Sequence, residues 1–249
     1  MCQKLCIVKD MTTLKRLYVL DLGLFRVNSG RVIGIPGFLI QTQEGQNILL
    51  DSGFPSKYAD CERASLEDDL GSFGHLIDFG ARHLVAGQLA LLGLTLAQID
   101  LFVLSHGDID HIGALPEFAG REIVVGANER AMPRPRYFGD HQPVAWPEAR
   151  YRLIEADTLL MPGLEVLFTP GHSPGHLSVM LGLPQTGRVL LTCDAISRPA
   201  ELSDGSLDGQ VLFQAERLMR LAHDSSALVI YGHDPEQWLL LPKAPDCFE

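Results

Sequence analysis

A short segment rich in acids and histidines most constrains what this chain can fold into. In LSHGDIDHIG, residues 104–113, four of six consecutive positions are ionisable: His106, Asp108, Asp110 and His111. The segment follows DLFVLS, an apolar run that predicts a buried strand. Ionisable groups crowded beside a hydrophobic sheet need a compensating charge, and a divalent cation supplies it. We therefore predict a metal site at the end of this strand, completed by ligands from distant parts of the chain.

Three further residues are candidate ligands because each follows an apolar, strand-like run. His172 lies in FTPGHSPGH, where glycines and prolines predict a tight turn, Asp194 ends VLLTCD, and His233 follows LVIYG. Functional side chains usually lie at the carboxyl ends of strands, so these residues are expected to join the first four at one rim of a sheet. His176, the second histidine of the turn, is expected to be structural because His172 already fills the ligand position.

The order of predicted elements indicates a layered α/β fold. The runs RLYVLDLG, GFLIQT and NILLD predict antiparallel strands, residues 55–78 an irregular polar segment, and residues 80–93 a helix. DLFVLS and REIVVG are followed by a second group of strands: YRLIE, LEVLFT, LSVML and RVLLTCD. An amphipathic helix over residues 210–222 and the strand ALVIYG complete the pattern. Strands and then helices, repeated once, predict two related βα halves packed sheet on sheet with helices outside, as a single domain over residues 1–249.

Charge and cysteine usage narrow the classes of partner. A net charge of −11 and a pI of about 5.2 disfavour nucleic acid, whose binding proteins usually carry a basic surface, so a small-molecule substrate is expected. The five cysteines form no C-x-x-C pair, which favours reduced thiols and a cytoplasmic location. The N-terminus does not match a signal peptide, and residues 84–104 are too interrupted by polar residues to span a membrane. No membrane association is therefore expected.

Five segments together resemble the metallo-β-lactamase superfamily, and within it the N-acyl homoserine lactonase-like branch. They are NILLDSG, LSHGDIDHIGAL, LFTPGHSPGHLSVML, VLLTCDA and IYGHD, in family order and at family spacing. The resemblance implies an αββα sandwich with two divalent metal ions at one edge. The implied ligands of the first metal are His106, Asp108 and His172; those of the second are Asp110, His111 and His233, and Asp194 bridges both. Asp51 is implied to orient a ligand histidine through a hydrogen bond.

The sequence departs from the family pattern at two positions. Position 108 is histidine in the family motif, and Asp108 adds negative charge at the first metal. Zinc is the expected metal, but manganese or iron is also possible because a carboxylate is a harder ligand than imidazole. If the Asp108 side chain is too short to reach the first metal, the site would hold one metal only. The flavodiiron proteins of the same superfamily resemble this site in carrying an acid there and binding iron, but 249 residues leave no room for their flavin domain. Ser197 stands where the lactonase branch often has a tyrosine that contacts the substrate carbonyl.

The resemblance implies a hydrolase that opens a lactone ring, such as that of an N-acyl homoserine lactone, and thereby acts in quorum quenching. A hydroxide shared by the metals would attack the carbonyl, with Asp110 as proton shuttle. Ser197 acting through a water is the candidate carbonyl contact, and Tyr231, Tyr137 or a different substrate are the alternatives. Other functions kept open are hydrolysis of another ester or thioester, as in glyoxalase II-like members, and a non-catalytic metal- or ligand-binding module.

Aromatic residues in two loop segments are candidates for the substrate pocket. Loops beside a rigid site usually set specificity, so segments 54–83 and 132–147 are expected to wall the site. Four side chains could provide an apolar surface for an acyl chain, or alternatively ordinary packing or a homodimer contact: Phe54, Phe73, Phe79 and Tyr137.

Overall fold

The computed structural model describes residues 13–60, 62–77, 79–136 and 141–249. The strands are β1 (Leu14–Val27), β2 (Val32–Thr42), β3 (Asn47–Leu50), β4 (Gly74–Ile77), β5 (Leu101–Val103), β6 (Glu122–Gly126), β7 (Arg150–Ile154), β8 (Thr158–Met161), β9 (Leu164–Phe168), β10 (Leu177–Leu183), β11 (Gly187–Leu191) and β12 (Leu228–Ile230). The α-helices are α1 (Lys57–Asp60), α2 (Glu62–Glu67), α3 (Val85–Leu91), α4 (Ala127–Arg130), α5 (Gly209–Ser225) and α6 (Pro235–Leu240). Short 3-10 helices cover Leu70–Ser72, Ala81–His83, Leu96–Gln98, Leu115–Phe118, Cys193–Ala195 and Pro199–Leu202.

The strands form two mixed sheets. The first sheet has the order β4-β1-β2-β3-β5-β6-β7, with antiparallel pairs from β4 to β3 and parallel pairs from β3 to β7. The second sheet has the order β12-β11-β10-β9-β8 and is antiparallel except for the β11–β12 pair. Parallel neighbours need a crossover connection, and α5 provides it between β11 and β12.

The two sheets pack face to face through an apolar core. Side chains alternate between the faces of a strand, so in β1 Leu17 and Val19 point to the second sheet whereas Leu20 points away from it. Leu177 and Val179 of β10 meet β1 and its neighbours in this inter-sheet core. Burial of these side chains, about 1.5–3 kcal/mol each, stabilises the pairing of the sheets.

Helices cover the outer face of each sheet. Val85 and Leu89 of α3 pack in the core on the outer face of the first sheet. Ala215, Leu218 and Ala222 of α5 pack against the outer face of the second sheet. The layers are therefore helix, sheet, sheet and helix, which confirms the predicted α/β class. Within the described ranges, no helix is both long and apolar enough to span a bilayer.

Several local predictions were wrong. The helix predicted over residues 80–93 is broken at Leu84, whose extended backbone separates a 3-10 turn from α3. The segment predicted as irregular contains α1, α2 and β4, and the predictions also missed β8 and α6. These elements are four to six residues long. Elements this short are stabilised by tertiary partners rather than by local propensity, as β4 is by pairing with β1.

Candidate metal centre

Strand ends from both sheets place polar side chains at one edge of the sandwich. Asp51 follows β3 and the segment beginning at His106 follows β5 in the first sheet. His172, Asp194 and His233 follow β9, β11 and β12 of the second sheet. Each residue lies beyond the carboxyl end of its strand, so the sequence prediction of a common rim agrees with the structure.

The structure brings all seven predicted ligands together. We call His106, Asp108 and His172 the first ligand set, and Asp110, His111 and His233 the second ligand set. Within each set, one potential ligand atom from every residue lies within 4.8 Å of the others, and Asp194 forms a further such group with His106 and His111.

The first ligand set surrounds one oxygen of the shared aspartate. The Oδ2 atom of Asp108 lies 3.1 Å from His172 Nε2 and 3.5 Å from His106 Nε2. Oδ2 of Asp194 lies 3.7 Å from His172 Nε2 and 3.9 Å from His106 Nε2. Asp108, although shorter than histidine, therefore reaches the centre of its set.

The second ligand set surrounds the other oxygen of the same aspartate. Oδ1 of Asp194 lies 3.2 Å from His233 Nε2 and 3.5 Å from His111 Nε2. The carboxylate of Asp110 lies 3.6 Å from His233 Nε2 and 3.7 Å from His111 Nε2. Asp194 thus presents one oxygen to each set, as a bridging ligand would.

The spacing and hydrogen bonding of these groups fit divalent metal ions. Ligands held about 2.0–2.1 Å from a tetrahedral metal are separated by about 3.4 Å, which is close to the distances above. Among the seven predicted ligands, the described residues provide no hydrogen-bond partner for four buried atoms, namely His106 Nε2, Asp108 Oδ1, His111 Nε2 and Asp194 Oδ1. Buried polar atoms without partners are costly, and coordination would satisfy them.

The carboxylates and histidines of the cluster shift one another's pKa values. Burial by itself lowers the pKa of His233, but the Asp194 and Asp110 carboxylates outweigh it and raise the pKa to about 9. Burial also lowers the pKa of His111, but the carboxylates of Asp110, Asp51 and Asp194 outweigh burial and raise this pKa well above its usual value. Burial raises the pKa of Asp108, but hydrogen bonds from His106 and His172 outweigh it and lower the pKa below its usual range. Asp108 and Asp194, whose pKa values are both lowered by neighbouring histidines, are therefore ionised, and a metal ion would displace protons from His111 and His233.

Asp51 and Ser105 orient two of the ligand histidines. Asp51 Oδ1 accepts the Ser105 backbone N–H at 2.8 Å, and its Oδ2 accepts the Ser105 hydroxyl at 2.6 Å. The same Oδ2 accepts from His111 Nδ1 at 2.9 Å, and His106 Nδ1 donates to the Ser105 hydroxyl oxygen at 3.0 Å. Both rings are thereby fixed with Nε2 facing the centre, the usual arrangement behind ligand histidines. Asp51 acts as the resemblance implied, whereas sequence reasoning missed Ser105.

Hydrogen bonds that involve the backbone hold two further ligands, His233 and Asp194. His233 Nδ1 donates to the Gly34 carbonyl oxygen at 2.9 Å, so its Nε2 also faces the centre. The Asp194 N–H donates to His176 Nε2 at 3.1 Å, and His176 Nδ1 donates to Thr169 Oγ1 at 2.8 Å. His176 is therefore occupied by hydrogen bonds, consistent with the structural role expected for it.

An apolar cavity of about 240 Å³ ends on the second ligand set. Its apolar lining includes Phe25, Ile33, Phe54 and Phe73, and its floor consists of Asp110, Asp194 and His233. Two of the four aromatic residues predicted to line a pocket, Phe54 and Phe73, do so.

The other predicted contact residues lie elsewhere. Phe79 packs edge-on against Phe54, with ring centroids 6.0 Å apart, behind the cavity wall. Tyr231 packs with the core beneath α5, and Tyr137 lies outside the described residues. The half-buried Ser197 accepts the His233 N–H through its carbonyl oxygen at 2.8 Å. Its hydroxyl role stays a prediction.

A buried glutamate was also missed. Glu129 is fully buried on α4, just beyond the carboxyl end of β6. The sequence pattern that located the other site residues, a polar residue directly after an apolar strand, could have found Glu129 as well. It lies in ANER, which directly follows the apolar run REIVVG.

Comparisons with known proteins agree with this geometry. Residues 32–233 match the family model of the metallo-beta-lactamase superfamily. The N-acyl homoserine lactonase of Bacillus cereus is 30% identical over 243 residues, covering 90% of this chain and 95% of that protein. The N-acyl homoserine lactonase AttM of Azorhizobium caulinodans is 28% identical over 267 residues, and the match covers 94% of this chain and 98% of that protein.

Solved structures show the same fold. A mutant of AiiA from B. thuringiensis, with N-decanoyl-L-homoserine bound at its active site, has a TM-score of 0.81 at 27% identity, covering 95% of this chain and all of that chain. An N-acyl homoserine lactone hydrolase, with the product N-hexanoyl-L-homoserine at its catalytic metal center, has a TM-score of 0.80 at 26% identity and the same coverage. The predicted resemblance and the αββα architecture are confirmed.

Proposed function

Because the chain belongs to the metallo-beta-lactamase superfamily, in the branch of the N-acyl homoserine lactonases, we propose that it is a metal-dependent hydrolase that opens N-acyl homoserine lactones. The observation that carries this proposal is the junction of two ligand sets with an apolar cavity. The cavity suits an acyl chain, and the ligand sets suit the polar lactone. Removing such lactones would make the protein a quorum-quenching enzyme.

The seven ligand residues are proposed to hold two divalent ions. The first ligand set would hold one ion, the second ligand set the other, and Asp194 would contact both. When bound, the ions would lower the pKa of water towards neutrality and polarise the lactone carbonyl. Asp51, Ser105 and the Gly34 carbonyl keep the histidine rings in the required orientation.

Asp110 is the proposed proton carrier. Its carboxylate lies in the second ligand set and lines the cavity, so it would contact both the attacking water and a substrate bound in the cavity. In ring opening, the water oxygen bonds to the carbonyl carbon, the ring C–O bond breaks, and the proton lost by water ends on the leaving alkoxide. Asp110 can take up that proton and return it within one turnover.

The acyl chain is proposed to occupy the apolar cavity. Burial of a methylene group is worth about 0.8 kcal/mol, so each added methylene can raise kcat/KM by up to about fourfold until the cavity is filled. The described lining residues include no lysine or arginine, which favours an uncharged chain over an anionic substituent.

Asp108 is proposed to alter the metal preference. Three carboxylates contribute to the cluster where the family motif would give two, which lowers the net charge of a two-metal site by one unit. We expect zinc to bind, and manganese or iron(II) to compete better than they would with histidine at this position.

The proposal is tested by metal analysis of protein purified without chelators, together with a proton-release assay on N-acyl homoserine lactones of increasing chain length. About two metal ions per chain and rapid opening that improves with chain length are expected. The acyclic methyl ester of N-hexanoyl homoserine and a glutathione thioester serve as competing substrate classes. Faster hydrolysis of the thioester would indicate a glyoxalase II-like activity. Protein that is purified without chelators, contains no metal and hydrolyses none of these esters even after metal is added would contradict the proposal.

A further inference from the structure

A second network of hydrogen bonds lies behind the first ligand set and centres on Glu129. We infer that Glu129 is a positioning residue that joins the two loops carrying this set and thereby controls the affinity of the first metal. The inference rests on the metal site proposed above. Glu129 is fully buried, and among the residues that the structure describes no lysine or arginine pairs with its carboxylate.

The carboxylate contacts one backbone amide from each loop. Oε1 accepts the Gly107 N–H at 2.9 Å, and Gly107 lies between His106 and Asp108. Oε2 accepts the Gly175 N–H at 3.1 Å, and Gly175 lies three residues after His172 in the same turn. One side chain therefore sets the separation of the segments that supply all three members of the first ligand set.

Glycines allow the three backbones to approach so closely. A Cβ at Gly175 would lie 2.3 Å from the Glu129 backbone nitrogen, and one at Gly126 would lie 1.9 Å from the Gly175 carbonyl oxygen. At Gly107 a Cβ would lie 2.8 Å from the Arg136 nitrogen and 3.1 Å from Glu129 Oε1. The close contacts at all three positions show that the two ligand loops and the start of α4 pack backbone to backbone, which keeps both loop amides within reach of the Glu129 carboxylate.

The hydrogen bonds that support the second ligand set do not involve Glu129, although one of the supports, Asp51, also holds His106 of the first set through Ser105. His111 is held by Asp51, and His233 by the Gly34 carbonyl oxygen, neither of which contacts Glu129. Loss of the Glu129 contacts should therefore loosen the first ligand set selectively. A residue needed only for folding would weaken both metal sites in parallel.

The test replaces the carboxylate by its isosteric amide, Glu129→Gln. An amide can accept from one loop, but its NH₂ group would face the N–H of the other, so one of the two contacts is lost. We expect the first metal site to bind about 10- to 100-fold more weakly, as observed for residues that support metal ligands, and the second site to keep its affinity. Cobalt(II) titration of metal-free protein, followed by its visible absorption spectrum, measures both affinities without reference to activity.

Two reference variants assign the sites. His172→Ala disables the first ligand set and His233→Ala the second, so the spectrum of each gives the signature of the site that remains. The tighter cobalt site of Glu129→Gln should match the spectrum of His172→Ala. Glu44→Gln, at an exposed glutamate in the turn between β2 and β3 and therefore at the end of β3 opposite to Asp51, should bind cobalt as the unmodified protein does.

The outcomes separate this inference from the proposed function. Suppose that the unmodified protein binds two cobalt ions. The inference alone would then be overturned if Glu129→Gln weakened both sites equally, weakened neither site, or weakened only the second. Absence of metal binding in the unmodified protein would overturn the proposed function and the inference with it. If Glu129→Gln does not fold, Glu129→Asp, which keeps the charge but is one methylene shorter, is judged by the same comparison.

Discussion

The two ligand sets are alike in donors and different in surroundings. Each contributes two histidines and one aspartate, and each faces one oxygen of Asp194. The side chain of His172 in the first set is 25% exposed, whereas that of His233 in the second is 7% exposed. The apolar cavity borders the second ligand set, and its described lining includes no member of the first.

This difference shows that the donor atoms alone do not assign a role to each half of the site. The loops of the first ligand set are joined by the Glu129 carboxylate, and His233 of the second set is held by the Gly34 carbonyl oxygen. Asp51 serves both sets, because it contacts His111 directly and His106 through Ser105. The second also meets the cavity proposed for the acyl chain. Changes to the shared aspartate should therefore affect both halves, and changes elsewhere should separate them.

The largest effect is expected for Asp194→Ala, which removes the feature common to both sets. Both metal affinities should fall, and kcat/KM should decrease about 1,000-fold or more, because several kcal/mol of charge stabilisation are lost at about tenfold per 1.4 kcal/mol. Metal analysis and the proton-release assay measure the two effects. Asp224→Ala, at an exposed position near the end of α5, is the matched control. Retention of two metals by Asp194→Ala would contradict the bridging role.

Asp108→His breaks the equality of donors between the sets. It replaces a carboxylate by an imidazole, so the preference for zinc over manganese should rise by about tenfold, equivalent to about 1.4 kcal/mol. Competition between the two metals, with metal analysis after dialysis, gives the ratio. The mirror variant Asp110→His should instead remove most activity with either metal, because it also removes the proposed proton carrier. An unchanged metal ratio in Asp108→His would show that Asp108 does not coordinate.

Much of the site was predictable from sequence because its residues follow recognisable strands. An apolar run followed by an acid or histidine located the ligand residues, and the layered fold placed those strand ends at one edge. Glu129 obeys the same rule, but ANER is not among the five segments that resemble the family, so nothing distinguished this acid from others that follow a strand. Ser105 was hidden because its role depends on the position of Asp51, 54 residues earlier in the chain.

The cavity could not be predicted in the same way. Phe25 and Ile33 lie on β1 and β2, whereas Phe54 and Phe73 lie in the segment that follows β3. Their meeting depends on the pairing of β4 with β1, and the sequence of β4 is only four residues long. A contact made by so short a strand has little local signal, so sequence suggested the apolar residues but not which of them face the site.

Phe73→Ala tests whether the cavity serves the second ligand set as an acyl site. Removal of the ring should cost about 1–2 kcal/mol of binding for a long chain, lowering kcat/KM for N-decanoyl homoserine lactone about tenfold. The N-butanoyl lactone should change by less than about twofold, because its chain ends before the ring. Phe213→Ala, at a 58% exposed position on α5, is the control. Equal loss for both lactones would place the acyl chain elsewhere.

The smallest effect is expected for Ser197→Ala, which removes the hydroxyl of a residue whose backbone contacts His233 of the second ligand set. The backbone of Ser197 accepts the His233 N–H and donates its own N–H to Glu201 at 2.8 Å, and alanine preserves both contacts. If the hydroxyl contacts the substrate carbonyl through a water, its loss should lower kcat/KM about fivefold, because one hydrogen bond contributes about 1 kcal/mol. Metal content should not change, and Ser203→Ala, at an exposed position, should match the unmodified protein. An unaltered kcat/KM for Ser197→Ala would mean that Ser197 supports only His233, through its backbone, and that the carbonyl is bound by the metal ions or by a different side chain.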